Sequence, residues 1–136
     1  MATTNTESTQ ATIRTFEDLD AWKVCRDLRK RVADLCRALP KEEKRRLADQ
    51  LVRASRSATA NLAEGYGRFH YTENMQFARQ ARGSLYELLD HLTVVVDEGL
   101  ADETTVLATR KNVIRAISVV NGLIRYLGNA KKGSAV

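Results

Sequence analysis

The chain is poor in the residues that break helices, favour sheets or hold metals. Its 136 residues include one proline, and aromatic residues make up 6% of them. Together with abundant Leu, Ala, Arg, Lys and Glu, this argues against a sheet-rich fold and for long helices, an all-α class. His70 and His91 are the only histidines, and neither shares a motif with a cysteine or a carboxylate pair at metal-ligand spacing. Di-iron bundles carry Glu-x-x-His on two helices, whereas Glu87 and His91 occur once, at i,i+4. Gly65-Tyr66-Gly67-Arg68 lacks the preceding strand and the further Gly or Lys of a nucleotide-binding loop. No metal, cofactor or catalytic activity is expected. No window reaches the ~18 apolar residues of a membrane span, and the polar start has no apolar signal core. A cytoplasmic protein with no membrane partner is the expectation. Cys25 and Cys36 lie eleven residues apart on one predicted helix. That is roughly 16 Å along the axis, beyond the ~7 Å reach of a disulfide, so both read as core thiols.

What is present is periodicity. A chain of this length supports one core that buries roughly two thirds of the unfolded surface. Residues 1–14, rich in Thr, Ser, Asn and Gln, read as a disordered arm, residues 15–129 as the bundle, and residues 130–136 as a disordered tail. Thr15-Phe16-Glu17-Asp18 fits a capping box that starts helix 1, which stops near Leu39-Pro40. Helix 2 spans about 42–64, with Gly65 as a positive-φ cap and Gly65-Tyr66-Gly67 as a turn. Thr72 caps helix 3, which runs to about Glu98 before Gly99, and Asp102 caps helix 4, which runs to about Gly128. Short connections make neighbours antiparallel, giving an up-down-up-down antiparallel four-helix bundle.

At ~100° per residue each helix shows an apolar stripe. Helix 1 aligns Trp22, Cys25, Leu28, Val32, Leu35, Cys36 and Leu39. Helix 2 aligns Leu47, Leu51, Ala54, Ser55, Ala58 and Leu62, small enough for close approach of a neighbour. Helix 3 aligns Phe77, Ala78, Ala81, Leu85, Leu88, Leu89, Leu92, Val95 and Val96. Helix 4 aligns Val106, Val113, Ile114, Ile117, Val120, Ile124 and Leu127, and Ala116, Val119, Leu123 and Tyr126 widen its apolar arc to roughly 240°. A monomeric bundle needs little more than ~100° per helix, so these four residues are the expected oligomer contact; scattered surface apolar residues are the alternative. Gly83, mid-helix and turned from the core, costs ~1 kcal/mol relative to Ala. It is either a place where another subunit packs closely or a tolerated surface glycine.

Charge is uneven. Lys and Arg number 22 against 17 Asp and Glu, a net charge of +5, but Lys23 to Arg68 holds thirteen basic against six acidic residues, an excess of seven. Lys23, Arg26, Lys30 and Arg37 fall within ~60° of one another on helix 1, and Arg53 and Arg56, with Arg46, lie off the apolar stripe of helix 2. Such a surface suits phosphates. No aromatic residue interleaves with the helix 1 stripe, which favours phosphate contact over base stacking. The competing reading is a solvated face with Asp27 and Asp34 in intrahelical pairs.

Two segments carry a resemblance: Gln50-Leu51-Val52-Arg53-Ala54-Ser55-Arg56-Ser57-Ala58-Thr59-Ala60-Asn61-Leu62-Ala63-Glu64-Gly65, followed by Arg68, and Ala81-Arg82-Gly83-Ser84-Leu85-Tyr86-Glu87-Leu88. With Phe16-Glu17-Asp18-Leu19 and Trp22, they closely resemble the four-helix bundle proteins encoded in 23S ribosomal RNA intervening sequences, which are similar to the accessory variability determinants of diversity-generating retroelements. The resemblance implies a homopentameric ring. It marks Arg53, Asn61, Glu64, Gly65, Arg68, Gly83, Ser84 and Glu87 as signature positions, without deciding between structure and ligand. The retroelement relatives bind nucleic acid and a reverse transcriptase through basic surfaces.

The leading expectation is a non-catalytic homo-oligomer, a pentamer on the resemblance, that binds RNA or DNA non-specifically through its basic surface and scaffolds a partner protein. The alternative is a purely structural assembly with no nucleic-acid role. Glu64 and Glu87 are expected to accept hydrogen bonds from arginines such as Arg53 or Arg68, within or between bundles.

Overall fold

The computed structural model describes residues 13–134. Four helices make up the fold: α1 (Asp20–Arg37), α2 (Asp49–Gly67), α3 (Tyr71–Asp97) and α4 (Glu103–Ser134), with no strand among the described residues. Each has two neighbours: α1 packs on α2 and α4, and α3 packs on the same two. The all-α, four-helix expectation holds. One continuous core runs through the bundle, and no buried side-chain polar atom among the described residues lacks a partner.

The stripes of α1 and α2 are buried as spaced, every residue of both. On α3, Ala78, Ala81, Leu85, Leu88, Leu92 and Val95 are buried, and Phe77, Leu89 and Val96 are half-buried at its edges. On α4 the orientation differs from the expectation. Ala116 is 0% exposed and belongs to the core, whereas Ile114 is 51% exposed. Val119 and Leu123 are half-buried against the core, and only Tyr126 of the four expected contact residues is open, at 62%. An arc that wide leaves its centre undefined in the sequence. Packing between α1 and α3 decides it and absorbs most of the surplus.

The helix ends are partly as expected. Thr15 Oγ1 accepts from Glu17 N at 3.1 Å, and Asp18 Oδ2 accepts from Arg14 N at 2.9 Å and Thr15 N at 3.3 Å. The box caps a 3₁₀ turn, Phe16–Asp18, and α1 begins after an extended Leu19. Beyond Pro40 the chain enters α2 through a 3₁₀ turn, Lys41–Glu43, and a π segment, Lys44–Ala48. Gly65 is no cap: α2 continues to Gly67, and the residue at positive φ is Phe69, at 59°. Thr72 lies inside α3, whose N-cap is His70, with no side-chain cap. Gly99, at φ +59°, ends α3 as expected, its N–H donating to Val96 O at 3.1 Å and that of Leu100 to Val95 O at 3.0 Å, the bonds of a left-handed C-terminal cap. Asp102 Oδ2 caps α4 by accepting from Thr105 N at 3.1 Å. That helix passes Gly128 and includes most of the expected tail, while residues 1–12 of the expected arm and residues 135–136 lie outside the described residues.

Candidate nucleic-acid interface

Lys23, Arg26, Lys30 and Arg37 are all exposed on α1, because their ~100° spacing turns them from its buried stripe. They do not act alike. The Arg26 guanidinium sits 5.7 Å from the centre of the Trp22 ring, and Arg37 bonds to Asp34 one turn back. Lys30 lines a groove of about 180 Å³ between α1 and α2, together with Arg29, Ala33, Val52, Ser55 and Arg56. No carboxylate among the described residues lines it. Arg29, Lys30 and Arg56 form no ion pair among the described residues.

Arg29 was not among the residues singled out from the sequence. It occupies the flank of α1 between the basic stripe and the core, where a long cationic side chain lays its stem over apolar surface and extends its head to a polar partner. Here the partner is on α2. Arg29 Nη1 donates to Thr59 Oγ1 at 2.9 Å, and that hydroxyl donates to Arg56 O at 3.1 Å. Thr59 is itself buried, so the guanidinium is tied to a fixed point. Thr59, beside the apolar stripe of helix 2 and four residues after Ser55, is the available signal.

Arg53 points to a different place. With Gln50, Ala54 and Glu87 it lines a groove of about 270 Å³ between α2 and α3. Glu43, Arg46, Leu47, Gln50, His91, Val94 and Glu98 line a further 230 Å³ along the same pair of helices. Carboxylates there have local partners: Arg46 bonds to Glu43 at 2.9 Å and His91 Nε2 lies 3.2 Å from Glu87 Oε2. Within the single bundle the partner of Glu87 is a histidine of its own helix and not an arginine. The two basic arginines of helix 2 thus part company, Arg56 facing α1 and Arg53 facing α3.

The other signature residues mostly knit α2 to α3. Asn61 Nδ2 donates to Ser57 O at 2.9 Å and to Ser57 Oγ at 3.1 Å, Ser57 Oγ shares a 2.9 Å hydrogen bond with Ser84 Oγ, and Ser84 Oγ donates to Gln80 O at 3.2 Å. Gly65 is buried, and a Cβ there would stand 2.8 Å from both Asn74 Oδ1 and Phe77 Cβ. Its role is close approach of two helices. Gly83 is open, with nothing within 4 Å of a Cβ built on it. Arg68 Nη2 donates to Glu64 Oε2 at 2.8 Å as expected, lies 3.8 Å from Glu73 through Nη1, and stacks its guanidinium 5.1 Å from the Phe77 ring centre. With side chains about half exposed, that pair is worth ~0–1 kcal/mol, well below the ~3–5 kcal/mol of a broken buried pair.

Burial pushes the Cys25 thiol up to about 12 and that of Cys36 to about 11, so both stay protonated at neutral pH and unreactive. No group of three or more His, Cys, Asp or Glu that could hold a metal ion occurs among the described residues. No described helix is long and apolar enough to cross a membrane. The geometry is that of a basic surface on α1 and α2 beside a structural seam between α2 and α3. A search of curated proteins gave no match. A protein-family model, 23S rRNA-intervening sequence protein, matches residues 17–122, from the turn before α1 into the second half of α4. By that match over most of its length, reaching into all four helices, the chain belongs to the 23S rRNA-intervening sequence protein family.

Proposed function

We propose that this chain is a non-catalytic, cytoplasmic four-helix bundle of up-down-up-down topology that assembles into a closed homo-oligomer and binds RNA or DNA through phosphate contacts on α1 and α2. The carrying observation is the convergence of Lys30 and Arg56, with Arg29, on one groove lined by no carboxylate. Lys23 and Arg26 extend the surface along α1. Each phosphate neutralised releases counterions, so log affinity falls with log salt at a slope of roughly −0.7 to −0.9 per contact. Anisotropy titrations of labelled single-stranded RNA and DNA over a salt series test this. Arg26→Glu with Lys30→Glu should lower affinity and flatten the slope; no binding at low salt ends the reading.

The number five comes from the motif resemblance, as do a scaffolded partner protein and the kinship to accessory variability determinants. Assembly is supported by exposed Tyr86, Leu107, Ile114 and Tyr126 and by the open flank at Gly83. A closed ring avoids the filaments of an open head-to-tail contact, and repeating the groove in each subunit can raise a weak affinity by ~10²–10⁴ on one strand. Light scattering reads the mass, and a monomer at micromolar concentration refutes the ring. The purely structural alternative draws on the pairing of Arg37, Arg46 and Arg68 with neighbouring carboxylates.

A further inference from the structure

The basic surface is not uniform, and one point on it is shaped to hold a ligand. We propose that the α1/α2 groove is a discrete seat for a single tetrahedral phosphate group, gripped by Arg29 and Lys30 from one helix and Arg56 from the other. This rests on the nucleic-acid reading but is narrower, because a diffuse patch needs no seat.

Three cations line about 180 Å³, and no described carboxylate is in the lining. At ~30 Å³ per water in the liquid, the space admits an oxyanion with part of its hydration. Ala33, Val52 and Ser55 complete the lining, and the apolar side chains among them weaken solvent screening of charges that face each other. The Thr59 hydroxyl fixes Arg29 through one Nη, and the remaining guanidinium donors have no hydrogen-bond partner among the described residues. A guanidinium held in place loses less freedom on binding, and its planar fork matches two phosphate oxygens at once. Lys30 adds a mobile point charge. The α2/α3 grooves make the contrast: both are larger, but Glu87 lines one and Glu43 and Glu98 line the other, and a carboxylate repels an anion.

The phosphate can be a backbone phosphodiester or a free phosphate, and the test separates the two. The full-length protein is titrated with inorganic pyrophosphate at constant ionic strength, and the arginine Nε–Hε resonances are followed by NMR; an unlabelled oligonucleotide of twenty thymidines is then titrated alone and as competitor. Saturable shifts at Arg29 and Arg56, but not at Arg53, are expected. The exposed pair Lys30→Gln with Arg56→Gln should weaken pyrophosphate binding at least tenfold, with helicity and melting temperature unchanged. Displacement of pyrophosphate by the oligonucleotide identifies the backbone as occupant. Pyrophosphate binding without displacement upholds the seat and assigns it to free phosphate, and the nucleic-acid reading then loses its carrying observation. Oligonucleotide binding that leaves Arg29 and Arg56 unshifted and survives the double variant overturns the seat while sparing the broader reading. Absence of shifts with both ligands also overturns it.

Discussion

The two sides of α2 solve different problems with similar residues. Toward α3, hydroxyls, an amide and paired charges satisfy one another, and a glycine lets the helices close to contact. Toward α1, the cations face a groove with no opposite charge to meet. Burial and local pairing use up polar groups for structure, and only those left uncompensated have interaction energy to offer a ligand. The signature positions Asn61, Gly65 and Ser84 therefore read as seam residues, and the residues proposed to bind phosphate lie mostly outside the signature.

Perturbing the seam should have the largest effect. Gly65→Val forces a branched side chain against Asn74 and Phe77 Cβ, and overpacking of this kind costs typically ~1–3 kcal/mol. Thermal unfolding should show the loss, and an unchanged melting temperature would mean that α2 and α3 are not so close. On the other side, Thr59→Val removes the hydroxyl that holds Arg29, at about 0.5–1.5 kcal/mol for one hydrogen bond. It should also weaken pyrophosphate binding, whereas Ser84→Ala should not.

Gly83→Ala tests the open flank of α3. With nothing within 4 Å, the change should stabilise the helix by up to about 1 kcal/mol; if a subunit packs there, the same variant should instead weaken assembly in sedimentation. Glu64→Gln removes a half-exposed pair with Arg68 and should move stability by no more than about 1 kcal/mol. The smallest effect concerns the turn before α1. Amides of Arg14 and Thr15 donate to Asp18 and hold its carboxyl below the usual 3.8. A depressed folded value gives stability that is present above pH 3.8 and lost as pH falls through the folded value. The Arg14 and Thr15 amide resonances should titrate with a midpoint below 3.8, and Asp18→Asn should abolish that step.

Much of this was legible in the amino-acid sequence. Scarce proline and aromatics, four apolar periodicities, the Gly99 and Asp102 caps and the buried cysteines all follow from local chemistry, because propensity, spacing and capping depend on residues a few positions apart. The exposure of Lys23, Arg26, Lys30 and Arg37 followed for the same reason. Tertiary packing decided the rest. Gly65 has the chemistry of a cap or of a close contact, and only the approach of α3 selects the second. The wide apolar arc of α4 has no centre until α1 and α3 are in place, which is why Ala116 went inward and Ile114 outward. Arg29 joined Arg56 through Thr59 across thirty positions of sequence, and Arg53 went to the α2/α3 groove instead. Which cations share a groove depends on the rotation of one helix against its neighbours, and that angle is a property of the packed core rather than of any single segment.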